Sequence, residues 1–174
     1  ARRQRQMCIR DRLILTPNPD PPYNMRQICP SYKVAGIGGI THRDIANRVI
    51  ARKRANGTIA SGDDAHIVDS SDLPPRWNEF FNAGSWADGP IIDMAKARVI
   101  HMDRIRIERN TRLYELDVLY MQADEAGSDG EAEKAIISAE KQRLRDIPQN
   151  FTLDGYLTPD ELIAAWPTIY RPIG

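Results

Sequence analysis

Long hydrophobic runs are what this chain lacks most conspicuously. No apolar stretch of roughly 18 residues and no signal-peptide pattern appears, which argues against membrane spanning and secretion. Cysteine is nearly absent. Cys8 and Cys29 are the only two, and with His42, His66 and His101 they show no close Cys/His spacing, so a disulfide framework and a structural zinc site are not expected. Cys29 beside Pro30 reads as a small buried hydrophobe, with no electropositive helix start to activate its thiol. Charge of one sign is also missing: 24 lysines and arginines balance 24 aspartates and glutamates, so the whole chain is no polyanion binder. At 174 residues the expectation is one compact part large enough to bury a core, with any added tail visible as a separate segment.

Residues 1–12, Ala-Arg-Arg-Gln-Arg-Gln-Met-Cys-Ile-Arg-Asp-Arg, resemble a translated sequencing adapter of the kind found at the ends of environmental reading frames. On that reading they are non-native and the natural beginning is missing; the alternative is a basic arm that binds nucleic acid. The segment holds five arginines and one aspartate, which leaves 19 basic against 23 acidic residues in the remainder, a net charge of −4.

Turn chemistry divides the chain beyond Arg12. Leu13-Ile14-Leu15-Thr16 reads as a strand stopped by Pro17-Asn18-Pro19-Asp20-Pro21-Pro22, where fixed dihedrals and missing amide donors end regular structure. Thr41 with Asp44 forms a capping box, and Ile45, Ala46, Val49 and Ile50 at helical spacing predict a helix over 42–55 that ends before Gly57. Ala65 to Val68 suits a strand, and Ile91-Ile92 a last strand or lead-in. Trp77, Phe80, Phe81 and Trp86 form an aromatic cluster, read as apolar surface closing the small sheet in preference to a ligand cage.

The clearest feature spans 93–148. Asp93 is placed as N-cap of a helix from Met94 to Ala126, about 50 Å long at 1.5 Å per residue. Its apolar stripe runs through Ala95, Val99 and Met102, is interrupted by Arg106 and Arg109, and resumes at Leu113, Leu116, Tyr120 and Ala123. Gly127 closes it. Ser128 with Glu131 reads as a second capping box, opening a helix to Asp146 whose Ile136, Ile137, Ala139, Leu144 and Ile147 can cover the second half of the first. The first half, Met94 to Arg109, is then left to the compact part or to a partner. Thr158-Pro159-Asp160-Glu161 gives a capped short helix over 159–165, with Leu157 and Leu162 as its hydrophobic staple. The fold class is therefore α+β. A small N-terminal antiparallel sheet with one helix fills 13–92, a helical hairpin fills 93–148, and 149–174 is a tail carrying the short helix.

Chemistry is hard to find. Ala35 to Thr41 is glycine-rich but lacks the Gly-Lys-Ser/Thr of a phosphate loop and a convincing strand before it. Gly84-Ser85-Trp86 lacks the nucleophile elbow, and Asp103, two residues beyond His101, does not face it on a helix, so no carboxylate-oriented base is implied. The acidic residues near the hairpin turn match no calcium loop. No catalytic residue, metal site or cofactor is expected. Charge is more informative. Lys96, Arg98, Arg104, Arg106, Arg109 and Arg112 make the first half of the long helix basic, and residues 114–133 carry only acids. Folding back would set Lys141, Arg143 and Arg145 beside the basic half, so that like meets like, giving a basic base and an acidic tip. Val99, Met102, Arg106, Arg109, Arg112, Arg143 and Arg145 are the candidate partner-binding residues, suited to an acidic protein surface. Arg48 with Arg52-Lys53-Arg54 offers the alternative of nucleic-acid binding through helix 42–55, although cations also suit a helix C-terminus.

Several segments resemble small tail-module proteins of tailed bacteriophages. They are Leu13 to Pro17, Ile67-Val68-Asp69 with Asp72-Leu73-Pro74, and Asp93 to Ala97 with Ile100-His101 and Arg104. Leu116-Asp117 with Tyr120-Met121, Lys141 to Pro148 and Trp166-Pro167 are similar to the tail assembly chaperone-like domain. Of the aromatic pattern such proteins often carry before the long helix, only Phe80, Ala83 and Trp86 are present. The resemblance implies a non-enzymatic helper of tail or tail-fibre assembly that covers a tail polypeptide in the cytoplasm of an infected bacterial host. A structural virion or adaptor protein is the alternative. Neither a membrane nor a nucleic-acid partner is expected.

Overall fold

The computed structural model describes residues 12–17, 25–30, 35 and 37–170. It is α+β and divides into two compact units, Ala1–Asp93 and Met94–Gly174.

In the first unit, strand β1 (Leu13–Pro17) lies at the centre of a three-stranded antiparallel sheet. On one side it pairs with β2 (Met25–Ile28), Ile14 opposite Ile28, and on the other with β3 (His66–Val68), Leu13 opposite Val68. The run Leu13 to Thr16 is buried throughout because both faces of the strand are covered. Leu13 and Leu15 point into a cluster with Met25, Val68 and Trp77, and Ile14 packs on Ala46 and Ile50 of helix α1 (His42–Ala55). An uninterrupted apolar run is the pattern that two-sided burial produces. Helix α1 begins at the expected capping box, with the Thr41 hydroxyl oxygen accepting from the Asp44 amide at 3.1 Å.

The aromatic cluster closes the sheet as expected. Trp77 and Phe80 are buried, and Phe81 and Trp86 pack against the core from its rim. Two strands were not anticipated. Strand β2 reads as polar because Arg26 and Gln27 are engaged by specific bonds, to the Thr58 carbonyl (2.7 Å) and from Trp77 Nε1 (3.1 Å), which periodicity does not register. Strand β4 (Gly84–Trp86) pairs with β5 (Pro90–Ile92), the anticipated last strand, in a separate hairpin. A Cβ at Gly84 would lie 2.8 Å from the Trp77 ring, so the indole needs glycine there. The proline-rich stretch after Pro17 falls outside the described residues. Cys29 departs from expectation twice: it is exposed, and it is disulfide-bonded. Its partner lies outside the described residues.

The second unit is built on helix α2 (Met94–Glu125), 32 residues long. Through a 3-10 turn at Gly127–Gly130 it joins α3 (Glu131–Arg145), which is followed by the single turn α4 (Ile147–Asn150) and, further on, α5 (Pro159–Ala164). The Ser128 capping box does not form. An N-cap residue needs extended backbone, whereas Ser128 lies inside the 3-10 turn and α3 starts from Gly130 at φ −89°, ψ −5° with no side-chain cap. Close approach takes the place of capping. A Cβ on Gly130 would sit 1.8 Å from the Ala123 carbonyl oxygen, so the two backbones meet where only glycine fits.

Along α3, Ile137 and Leu144 are buried as expected, and Ile147 follows suit in α4, but Ile136 is 70% exposed and Ala139 is also outside the core. At α5 the Thr158/Glu161 capping box is present, with Leu162 buried, but Leu157 is 71% exposed and no staple forms. The Leu157 amide instead donates to Glu161 Oε2 at 2.9 Å, drawing the chain toward the cap in place of an apolar contact.

Two substitutions separate these devices. Gly130→Ala should destabilise the second unit by about 2 kcal/mol through overpacking against Ala123, and Thr158→Ala by about 1 kcal/mol through loss of the cap. Chemical denaturation followed by circular dichroism measures both, and an unchanged midpoint for Gly130→Ala would show that the close approach is dispensable.

Candidate protein-binding surface on the long helix

Helix α2 is too long for one neighbour to cover. The ion pairs Lys134–Asp124 (2.8 Å) and Lys141–Asp117 (2.5 Å) fix an antiparallel register with α3, which sets the last residue of α3, Arg145, level with Leu113. The remaining half of α2 is covered by the tail. Ala97, His101 and Ile105, one helical turn apart, are completely buried, and α5 packs on this part of α2. This corrects the expected stripe: Val99 is 61% exposed, and Ala97, His101 and Ile105 face inward instead. An imidazole at the centre of an apolar row hid that row from periodicity.

His101 is the polar pin of this interface. Its Nε2 lies 2.8 Å from the Ala165 carbonyl, which can only accept, so Nε2 carries the proton. The ring meets Trp166 edge-on at 5.2 Å, and Trp166 in turn meets Tyr170 at 6.0 Å. Arg98 donates to the Tyr156 carbonyl at 3.1 Å, and the Arg112 guanidinium lies 5.0 Å from the centre of the Tyr170 ring. Desolvation pushes the His101 pKa below its usual value, and nearby Arg104 adds to the shift, while the bond to Ala165 opposes it.

Charge is arranged differently from expectation at the hairpin turn. Lys141 meets Asp117 and not the basic half of α2, and Lys134 bridges Asp124 and Glu131 at 2.8 and 2.6 Å. Opposite charges therefore meet across the tip, because the tight Gly127–Gly130 turn sets α3 further back along α2 than like-with-like pairing requires. Those carboxylates raise the Lys134 pKa, Asp124 contributing more than Glu131.

The seven candidate residues do not form one patch of equal exposure. Val99 and Arg106 are exposed on one flank of α2, and Met102 and Arg109 are half-buried further round it. Arg106 pairs with Asp103 at 2.8 Å, Arg112 with Glu108 at 3.3 Å, and Arg143 with Glu140 at 2.9 Å. Arg109 donates to Asn110 at 3.0 Å, and Arg145 is exposed at the end of α3. Most of these arginines thus hold local contacts that leave the guanidinium at the surface. A second set of exposed apolar side chains on α2 escaped the sequence reading: Ile107 (67%), Tyr114 (71%), Val118 (42%) and Met121 (63%). Their seven- and four-residue spacing was the available signal.

In the first unit, the basic end of α1 serves local structure. Arg54 donates to the Asp63 carbonyl at 2.9 Å, and the Ile59 amide bonds the Lys53 carbonyl at 3.1 Å. A shallow groove of about 540 Å³ beside α1 is lined by Arg43, Asn47, His66 and Trp86 among others. His66 and Trp86 stack on each other there, with ring centres 3.7 Å apart. Among the described residues, no group of three His, Cys, Asp or Glu side chains could hold a metal ion, and no helix is long and apolar enough to cross a membrane. Comparison with protein-family models, curated proteins and solved structures returns no match.

The His101 environment carries a pH dependence with a definite sign. A depressed folded-state pKa leaves its stabilising effect intact above the unfolded value of about 6.5, and it is lost as pH falls below that toward the folded value. The wild-type chain should therefore lose more stability between about pH 7.5 and 5.5 than His101→Gln, which keeps a donor for Ala165 but does not titrate. Equal losses in denaturant midpoints would contradict the assignment.

Proposed function

We propose that this chain is a non-enzymatic assembly helper that holds another polypeptide on its helical hairpin, and that the polypeptide is a phage tail or tail-fibre protein. The observation that carries the reading is the flank of α2 beyond the end of α3, where Val99 and Arg106 stand exposed beside Met102 and Arg109. Arg145, the last residue of α3, lies level with Leu113, about 6 Å along the helix axis beyond Arg109, so a guanidinium group of the second helix adjoins the far end of this flank. Arginine suits this role because its planar fork binds carboxylates and its stem covers apolar surface. An acidic, partly apolar segment of a tail polypeptide is the complement of such a surface. The resemblance of Asp93 to Arg104 and Lys141 to Pro148 to tail assembly chaperone-like sequences supplies the phage context, and the working place is then the host cytoplasm.

The test is co-expression with tail and tail-fibre polypeptides from the same genome. Arg106→Glu/Arg109→Glu should weaken co-purification by about tenfold or more while helicity is retained, since like charges at an interface cost several kcal/mol. Undiminished co-purification would overturn the site, and failure of every tail polypeptide to bind would overturn the function. Mass spectrometry of purified particles separates helper from structural component, because a helper leaves before the virion matures.

A further inference from the structure

A different face of α2 carries a row of apolar side chains, most of them exposed. At 100° per residue, Ile100, Ile107, Tyr114, Val118 and Met121 fall within an arc of about 60°, opposite Leu116 and Ala123, which face α3. Four of them, Ile100, Ile107, Tyr114 and Met121, recur at strict intervals of seven, the repeat by which paired helices keep one seam in contact. Ile107, Tyr114 and Met121 are each more than 60% exposed. Such a stripe invites burial, and its symmetry says by what. About the midpoint between Asn110 and Thr111, Ile107 mirrors Tyr114 and Ile100 mirrors Met121. Charge is largely antisymmetric about the same point: Lys96 mirrors Glu125, Arg104 mirrors Asp117 and Arg106 mirrors Glu115, while Arg109 and Arg112 mirror each other.

An interface between two identical copies related by a two-fold axis requires a patch complementary to itself. Symmetric apolar positions with antisymmetric charge meet that requirement for antiparallel helices. A parallel pair would set the basic half against the basic half. From these relations we infer that two copies of the chain associate through the outer face of α2 in an antiparallel pair centred between Asn110 and Thr111.

In this arrangement Ile107 lies level with Tyr114 of the other copy, and Ile100 with Met121. Lys96 lies level with Glu125, and Arg104 approaches Glu115, each ionic contact occurring twice. Arg104 and Glu115 lie on the same side of the stripe, the side on which flanking residues of an antiparallel pair meet. The overlap from Lys96 to Glu125 is about 44 Å at 1.5 Å per residue. This face is separate from the arginine flank proposed to hold a tail polypeptide, so either assignment can fail without the other.

Sedimentation equilibrium on the full chain tests the pairing. The 19.7 kDa chain should reach twice its mass with rising concentration and dissociate on dilution. Ile107→Glu/Tyr114→Glu should leave it monomeric with α2 still folded by circular dichroism. Arg104→Glu alone and Glu115→Arg alone should each raise the dissociation constant by about tenfold or more, since each juxtaposes like charges twice. Combined in one chain, they should restore association to within about threefold of the wild type, because opposite charges again face each other. A monomer at all concentrations up to about 1 mM would overturn the inference. So would a dimer indifferent to these substitutions, or one that the double charge swap fails to rescue.

Discussion

The second unit depends on the covering of one helix by two unrelated pieces of chain. An isolated helix gains little from its own hydrogen bonds and depends on burial of one face. Helix α2 is 32 residues long and α3 only 15, so more than half of α2 must find another cover. The tail supplies it through a polar contact inside an apolar interface. His101, fully buried, reaches the Ala165 carbonyl, and leaving that carbonyl or the ring nitrogen without a partner would cost about 1–3 kcal/mol. The bond therefore gives the tail a single seat: the C-terminal end of α5 must lie where its carbonyl meets the imidazole. Trp166 and Tyr170 continue the contact along the helix to Arg112.

At the other end, backbone proximity does the equivalent work. Gly130 and Ala123 approach so closely that the turn has one geometry, and that geometry sets which lysines of α3 meet which aspartates of α2. The two ends of α2 are thus fixed by different means, the turn by the absence of a side chain and the base by a buried hydrogen bond. Between them the helix carries surface arginines and exposed apolar groups.

Much of this was legible in the residues. Thr41 with Asp44 and Thr158 with Glu161 announced their helices because a capping box is local and its partners are three residues apart. The α+β class and the hairpin followed from periodicity and turn residues. What was not legible depended on contacts distant in sequence. Arg26 and Gln27 look like loop residues until Thr58 and Trp77 supply their partners, 32 and 50 residues away. His101 looks like a surface residue until the Ala165 carbonyl, 64 residues on, accepts a hydrogen bond from its ring. Ser128 failed for the opposite reason: the local rule was satisfied on paper, but the tight approach at Gly130 kept the backbone helical through the turn. Within the candidate surface, the arginine flank was readable from charge, whereas the seam through Ile107, Tyr114 and Met121 was obscured by the Val99–Met102 stripe that competed with it.

The order of charges along α2 is itself a constraint. A helix favours acids in its first turn and bases in its last. Helix α3 obeys, with Glu131 and Glu133 at its start and Arg143 and Arg145 at its end. Helix α2 has no acid in its first turn and no base in its last, and its two halves run against its dipole. Local pairs such as Asp103 with Arg106 and Glu108 with Arg112 return a few tenths of a kcal/mol each. Lys134 and Lys141 answer the acidic half from within the chain. On α2 itself the basic half carries only Asp103 and Glu108 as acids, fewer than its cations, so an acidic surface brought in from outside would relieve repulsion along the helix. Both external surfaces inferred on α2, the arginine flank and the antiparallel seam, bring carboxylates to that same half. On the two proposed readings, association would add to what folding leaves incomplete in the basic half of the helix.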